Sequence, residues 1–205
     1  MKPLHWRILF IVAAICMGIG GPQHPRGESN AEMLADPVWF ASHAWVCASF
    51  VAMLAGLLLF RRSPAVPSRT GRWLKAAIVV TALETVEMAL HTVAYVDLPN
   101  LLAGQSTPIY TTHMTMAMIV YPIFGVLFSA FILVAARERA LGSIWTAPIG
   151  IIGALAHGAA GLLVVGFGIT SAGIGFPMIM LVMVWAFIAA LMPVRPGTVP
   201  STQPA

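Results

Sequence analysis

The sequence contains few charged residues. Of its 205 residues, 11 are Lys or Arg and 7 are Asp or Glu, which together make up 9% of the chain. A soluble domain usually carries about 25% charged residues. Hydrophobic residues account for 59% of the chain, and the mean hydropathy is +0.88. Too few polar side chains remain to cover a water-facing surface, so the composition predicts an integral membrane protein in contact with the lipid bilayer.

Cysteine is also scarce, and several metal motifs are missing. The two cysteines, Cys16 and Cys47, both lie inside apolar runs. This placement excludes a disulfide framework and a paired-cysteine metal motif. The sequence has no HExxH motif and no paired ExxH of the di-iron carboxylate kind, because Glu87 and His91 have the spacing ExxxH. The function must therefore be argued from individual polar side chains.

Six apolar segments are long enough, or nearly so, to cross a bilayer as helices, which takes about 20 residues. They cover roughly residues 4–21, 37–60, 73–96, 109–136, 144–169 and 170–192. We predict an all-α fold, with one bundle of six transmembrane helices over residues 1–193 and a disordered Pro- and Thr-rich tail over 194–205. The first segment also resembles a signal peptide, but no small-x-small cleavage site follows it, so we favour an uncleaved helix.

The distribution of charge predicts the orientation of the bundle. Ten of the 11 basic residues lie in four places: the N-terminus, the 61–75 connection, the 137–139 connection and the tail. The two remaining connections, 22–36 and 97–108, are acidic. The positive-inside rule then places both termini in the cytoplasm. We expect the protein to lie in the plasma membrane of a bacterium. The formal net charge of +4 is thereby explained as a topology signal, and no nucleic-acid partner is expected.

Ionisable side chains occur inside the apolar segments, where a charge costs about 2.5–3.5 kcal/mol at the helix centre. Four consecutive segments contain His43, Glu84, Glu87, His91, His113 and His157. In the stretch ALETVEMALHTVAYVD, Glu84, Glu87 and His91 fall within about 60° of one another on one helix face. His5 and His24 lie near or beyond the segment ends and are left out of the predicted site. The buried set indicates a functional polar site.

In the predicted orientation, His43, His91 and His113 lie at similar depth in the outer leaflet, with Glu87 beneath them. Neutral imidazole and carboxylate are ligands for zinc, copper, iron and manganese. We therefore predict a transition-metal site in which these three histidines and Glu87 are the ligands, and Glu87 can also act as an acid or base. A site at this depth faces the lipid boundary and suits a lipophilic small-molecule substrate.

Glu84 and His157 lie near the predicted centre of the membrane. Together with Glu87 they are the predicted catalytic residues, and the deeper two would form a proton relay. His157 also belongs to a face of small residues that includes Gly153 and Gly161. Small residues at this spacing let another helix, or a flat cofactor, approach the backbone closely. The simpler interpretation is a tight helix contact with His157 hydrogen-bonded across it.

Other functions remain open for the same residues. Haem held by two of the histidines from facing helices would make this a redox protein. A small proton- or metal-coupled transporter would use the column from the outer histidines to Glu84 and His157 as its path. The stretch GFGITSAGIGFP, 166–177, would then line a cavity as a re-entrant segment, although we favour a tight outer turn. In an accessory subunit of a larger membrane complex, or in a homo-oligomer, the polar residues would fix contacts.

Overall fold

A computed structural model describes residues 4–27, 29–64 and 66–193. Over these ranges the chain is all-helical, without strands, and six helical segments are long and apolar enough to cross a membrane. The predicted all-α fold with six spans is confirmed. The predicted disordered tail lies outside the described residues.

The helices vary in length and regularity. In chain order they are α1 (Leu4–Gly20), α2 (Asn30–Ala35), α3 (Trp39–Arg61), α4 (Ser68–Val93), α5 (Leu98–Leu102), α6 (Pro108–Arg137), α7 (Ala147–Ala160) and α8 (Ile179–Leu191). A π-helix, Gly161–Gly166, continues α7, and a 3₁₀-helix, Thr170–Met178, leads into α8. Both extensions belong to the membrane-crossing segments, whereas α2 and α5 are short.

The observed bounds of the spans follow the prediction closely except at the third. There, α4 begins at Ser68, five residues earlier than predicted. Its first turns carry the exposed side chains of Arg69, Arg72 and Lys75. Hydropathy marks only the apolar part of a helix, so these charged turns were assigned to the connection. Pro67 stands immediately before the helix, where its missing N–H removes no helical hydrogen bond.

The six spans form a closed ring. Each spanning helix packs against the next along the chain, from α1 on α3 through to α7 on α8, and α8 packs back against α1. On its inner side, α1 buries Trp6, Phe10 and Met17. The Ser49 hydroxyl on α3 donates a 2.8 Å hydrogen bond to the carbonyl of Ala13. These contacts pack α1 into the ring as one of the six spans.

The two ends of the bundle differ in character. At one end, Arg7 donates to the carbonyl of Met192 at 3.0 Å, and the Glu138 carboxylate accepts from both the hydroxyl and the N–H of Thr70, at 2.5 and 2.9 Å. We call this the basic end, since the 61–75 connection also lies there. At the opposite end α1 and α4 finish while α3 and α6 begin, and we call it the histidine end.

Short helices occupy the two connections at the histidine end. The hydroxyl of Ser29 caps α2 by accepting from the backbone N–H of Glu32 at 3.2 Å. The Asp97 carboxylate accepts from the N–H of Tyr110 at 2.9 Å, which ties the chain around α5 to the first turn of α6. In addition, α2 packs against α5. The two acidic connections therefore fold into short helices that cover this end of the bundle.

Close backbone contact joins α6 and α7. A Cβ added at Gly158 would lie 2.7 Å from the carbonyl oxygen of Tyr121, and one added at Gly125 would lie 2.8 Å from that of Ala154. Only glycine permits this approach at both positions. The contact carries His157 into the interior of the ring, where it is buried. The tight helix contact predicted for this small-residue face is confirmed.

The glycine-rich stretch 166–177 contains both a turn and a helix. The chain reverses between Gly166 and Thr170, where Gly168 has a φ of +69°. The segment that follows is the 3₁₀-helix already described, and Gly175 brings it against α7, since a Cβ there would lie 2.6 Å from the carbonyl of Ala156. The favoured tight turn is thus present but shorter than the whole stretch, and its location on the outer side of the membrane stays a prediction.

Candidate metal centre

The three histidines predicted to be ligands come together at the histidine end. His91 lies near the end of α4, and its ring centroid is 4.3 Å from that of His43 on α3 and 4.1 Å from that of His113 on α6. Residues from three consecutive spans thus form one group of touching imidazole rings. Each helical residue adds a fixed rise along the helix axis, so residues at similar distances from the same end of neighbouring spans lie at similar depth. This is why the three rings could be predicted to lie at one level.

His24 extends the group beyond the predicted residues. It follows the 3₁₀ turn Gly21–Gln23 at the end of α1, and its ring centroid is 4.7 Å from that of His43 and 6.3 Å from that of His91. The side chain keeps an exposed surface, yet the protein around the ring desolvates it and lowers its pKa below the ordinary value. His24 therefore stays in the neutral, ligand-competent form. In the sequence, the one feature that could have indicated this role for His24 is its position just past the end of the first span.

The side chains form two groups that could each hold a metal ion. The core triad consists of Glu87, His91 and His113, and the loop triad consists of His24, His43 and His91. Within each triad, one ligand atom from each residue lies within 4.8 Å of the other two. Around a tetrahedral zinc ion with bonds of about 2.0–2.1 Å, two ligand atoms are about 3.3 Å apart. Small side-chain movements would therefore bring either triad to coordinating distance.

Several polar atoms in these triads are buried without a hydrogen-bond partner. They are both ring nitrogens of His91, Nε2 of His43 and Oε2 of Glu87. Leaving a buried polar atom unsatisfied costs about 1–3 kcal/mol, so native proteins keep few of them. A cation coordinated by these lone pairs would remove that cost at several atoms at once.

Trp39 fixes the orientation of His43. The Nδ1 of His43 lies 2.6 Å from the carbonyl oxygen of Trp39. A carbonyl can only accept, so Nδ1 carries the proton and Nε2 keeps its lone pair. Metal-binding histidines commonly make a second hydrogen bond of this kind, which sets the tautomer. Trp39 was not predicted, because tryptophan at a span boundary is ordinarily an interfacial anchor.

Glu87 and His113 form a buried pair. Glu87 Oε1 lies 2.5 Å from Nδ1 of His113, and both side chains are almost wholly inaccessible to solvent. The carboxylate orients the imidazole. Because the pair uses only one carboxylate oxygen, Glu87 can orient His113 and still offer Oε2 to a metal ion.

A second pair lies deeper in the bundle. Glu84 Oε1 is 2.8 Å from Nε2 of His157, and Nδ1 of His157 is 3.3 Å from the carbonyl oxygen of Phe176. The carbonyl is an acceptor, so Nδ1 is the donor there. A further proton is then shared between Nε2 and the Glu84 carboxylate. The structure brings these two predicted residues together and keeps them out of both triads.

Tyr121 lies close to both carboxylates. Its ring centroid is 4.3 Å from that of His157, and its hydroxyl is within electrostatic range of Glu84 and Glu87. Toward the basic end the core becomes apolar, beginning with Phe124 and Phe128, whose rings stack at 4.8 Å. The buried histidine and glutamate side chains thus lie between the histidine end and this aromatic core.

The chain was also compared with known proteins. No protein family matches it, and neither a curated protein nor a solved structure shows significant similarity to it. The function must therefore be argued from the geometry of the site.

Proposed function

We propose that this is a multi-pass protein of the bacterial plasma membrane that binds a transition-metal ion at its histidine end and uses it for redox or other metal-dependent chemistry on a lipophilic substrate. One observation carries the proposal. Nitrogen and oxygen atoms from two neighbouring spans, α4 and α6, converge in the core triad, and some of them are buried without partners. Imidazole and carboxylate are ligands suited to zinc, copper, iron or manganese.

The ring contacts favour a bare metal ion over haem. Haem bound by two histidines needs its macrocycle between the two imidazoles. The centroid of His91 is only 4.1 Å from that of His113 and 4.3 Å from that of His43, so these rings touch each other directly. A metal ion at the ring edges requires no such separation.

The proposed environment of the site follows from the charge of the two ends. By the positive-inside rule, the basic end faces the cytoplasm and the metal centre lies in the outer leaflet. On α4, Val79, Leu83 and Val86 are exposed, whereas Glu84 and Glu87 on the opposite side are fully buried. The exposed apolar face contacts lipid, and a lipophilic substrate would reach the centre from this boundary.

The carboxylates would handle protons for the reaction. Glu87 is close enough to the metal centre to act as an acid or base, and Glu84 with His157 would be a proton reservoir deeper in the bundle. Tyr121 lies within electrostatic range of both carboxylates and so could carry a proton between them. This arrangement gives metal chemistry in an apolar setting an internal proton source.

A proton- or metal-coupled transporter is the second candidate. The Glu84–His157 pair favours it, because a shared proton at mid-membrane is typical of a transport path. The aromatic core between this pair and the basic end opposes it, since the stacked rings of Phe124 and Phe128 are fully buried there. A path across the membrane would require those rings to move apart.

Metal and haem analysis of the purified full-length protein tests the proposal. We expect chelator-treated protein in detergent to bind Zn²⁺ or Cu²⁺ tightly, and to show no visible haem band as purified. A haem band with bound iron would replace the metal-ion proposal, and failure to bind any of Zn²⁺, Cu²⁺, Fe²⁺ and Mn²⁺ would refute it. Proteoliposomes then separate the two candidates, because only a transporter moves the metal or protons across the vesicle membrane.

A further inference from the structure

We propose that the centre is dinuclear, with one ion in the core triad, a second in the loop triad, and His91 as the ligand that bridges them. The inference rests on the proposed function and deepens it. It names a second ion, adds His24 to the ligands and assigns a distinct role to His91.

The two nitrogens of His91 carry the inference. An imidazole presents Nδ1 and Nε2 in divergent directions, so one metal ion can bind only one of them. Both nitrogens of His91 are buried without a hydrogen-bond partner. A metal-binding histidine ordinarily gives its second nitrogen to a carbonyl, a carboxylate or water. His43 does this with the carbonyl of Trp39, and His113 does it with Glu87, but His91 does not.

His91 has two nitrogens and belongs to two triads with different partners. His91 is the one residue shared by the two triads found among the described residues. His113 and Glu87 complete one set, and His24 and His43 complete the other. A single ion would satisfy one triad and leave one nitrogen of His91 orphaned in the apolar interior. Two ions satisfy both.

The stacking of Trp39 leaves both coordination directions open. Its indole is parallel to the His91 ring, with the planes 1° apart, and therefore covers a face of the ring. Metal ions approach an imidazole in the ring plane, where the nitrogen lone pairs point. Trp39 can thus hold the ring in place without blocking either ion.

The two positions differ in chemistry. The loop triad offers three imidazoles, and His24 keeps an exposed surface from which water can complete the coordination. The core triad offers two imidazoles and a carboxylate, and both Glu87 and His113 are buried. Both sets suit divalent first-row ions. The ion of the loop triad should exchange faster with solution, because it lies nearer to water.

Bridging releases one proton from His91. Its neutral ring has one lone pair and one N–H, so the first ion binds the free nitrogen without proton loss. The second ion replaces the N–H proton, which leaves to solvent, and the ring becomes an imidazolate with an ion on each nitrogen. No electron is transferred in this step.

Metal stoichiometry of the full-length protein in detergent tests the inference, with Zn²⁺ as the probe after chelator treatment. We expect two ions per chain in the wild type and one each in H24A and H113A. His5 provides the matched control, because it is exposed in the first turn of α1, at the opposite end of that helix from His24. The variant H5A should keep two ions. One ion in the wild type would overturn the dinuclear centre and leave the proposed function standing, whereas no bound ion would overturn both.

Copper spectroscopy provides a readout that does not depend on the folding of any variant. Two Cu²⁺ ions joined by an imidazolate couple magnetically. We therefore expect the electron paramagnetic resonance signal per copper to fall as wild-type protein is filled from one to two equivalents. Two equivalents that give two full, independent copper signals would refute the bridge.

Discussion

The indole of Trp39 lies flat against the imidazole of His91, with ring centroids 5.0 Å apart and planes 1° from parallel. The indole N–H also donates to the backbone carbonyl of His91 at 3.2 Å. Through its own carbonyl, the same residue fixes the tautomer of His43. One residue at the start of α3 thus positions candidate ligands on two helices, His91 through its side chain and His43 through its backbone carbonyl.

Replacing Trp39 should weaken metal binding although the residue is no ligand. We expect W39L to lower the Zn²⁺ affinity by about 10–100-fold, the usual effect of losing a residue that orients a metal ligand. Competition with a chelating dye measures this change. Trp145, in the connection at the basic end and 88% exposed, is the matched control, and W145L should bind like the wild type. An unchanged affinity in W39L would show that the stacking has no positioning role.

The two carboxylates should respond differently to loss of charge. E87Q keeps the size of the side chain and a hydrogen bond to His113 but removes the anionic ligand, so we expect metal affinity to fall by about 10-fold or more. E84Q should leave the affinity within about 3-fold of the wild type, because Glu84 belongs to neither triad. Isothermal titration of both variants makes the comparison. Equal losses would mean that the assignment of ligand and relay is wrong.

The deeper pair should be energetically coupled. E84A leaves Nε2 of His157 buried and unpaired, which we expect to lower the free energy of unfolding by about 1–3 kcal/mol. In a double-mutant cycle with H157F, the second change should cost less once Glu84 is gone. Reversible unfolding of the detergent-solubilised protein measures the cycle. Additive effects would contradict the 2.8 Å contact.

The α6–α7 contact should tolerate no added methyl group. In G158A the new Cβ would lie 2.7 Å from the carbonyl oxygen of Tyr121, so we expect a loss of about 1–3 kcal/mol in the free energy of unfolding. Gly18 on α1 is the matched control, since a Cβ there meets nothing within 4 Å. Thermal denaturation compares the two variants. If G158A is as stable as G18A, the helices are not packed this closely.

The fold was largely predictable because hydropathy determines which segments cross a membrane. For the same reason, the first turns of α4 were not predicted to be helical, because hydropathy does not mark turns that carry charged residues. Arg69, Arg72 and Lys75 are exposed there. The turn in the 166–177 stretch was predicted from its glycines. Its continuation as a 3₁₀-helix was not, because that depends on packing between Gly175 and α7.

The depth of the site residues along the helices was predictable from the sequence, but which side chains contact each other was not. Helix rise placed His43, His91 and His113 at one level and Glu84 with His157 at another. Which side chains meet depends on how each helix is rotated, and the glycine contact between α6 and α7 decides this for His157. His24 lies in a connection, where periodicity carries no information, so only the folded chain reveals its place beside His43.

X-ray absorption at the metal edge of the Zn²⁺-loaded protein tests the central claim most directly. Histidine and carboxylate ligands place nitrogen and oxygen at about 2.0–2.2 Å, whereas thiolate sulfur lies at about 2.3 Å. We predict a first shell of nitrogen and oxygen only, with the outer scattering typical of imidazole rings. A sulfur shell, or a first shell without imidazole scattering, would show that the ion is bound elsewhere and would contradict the account.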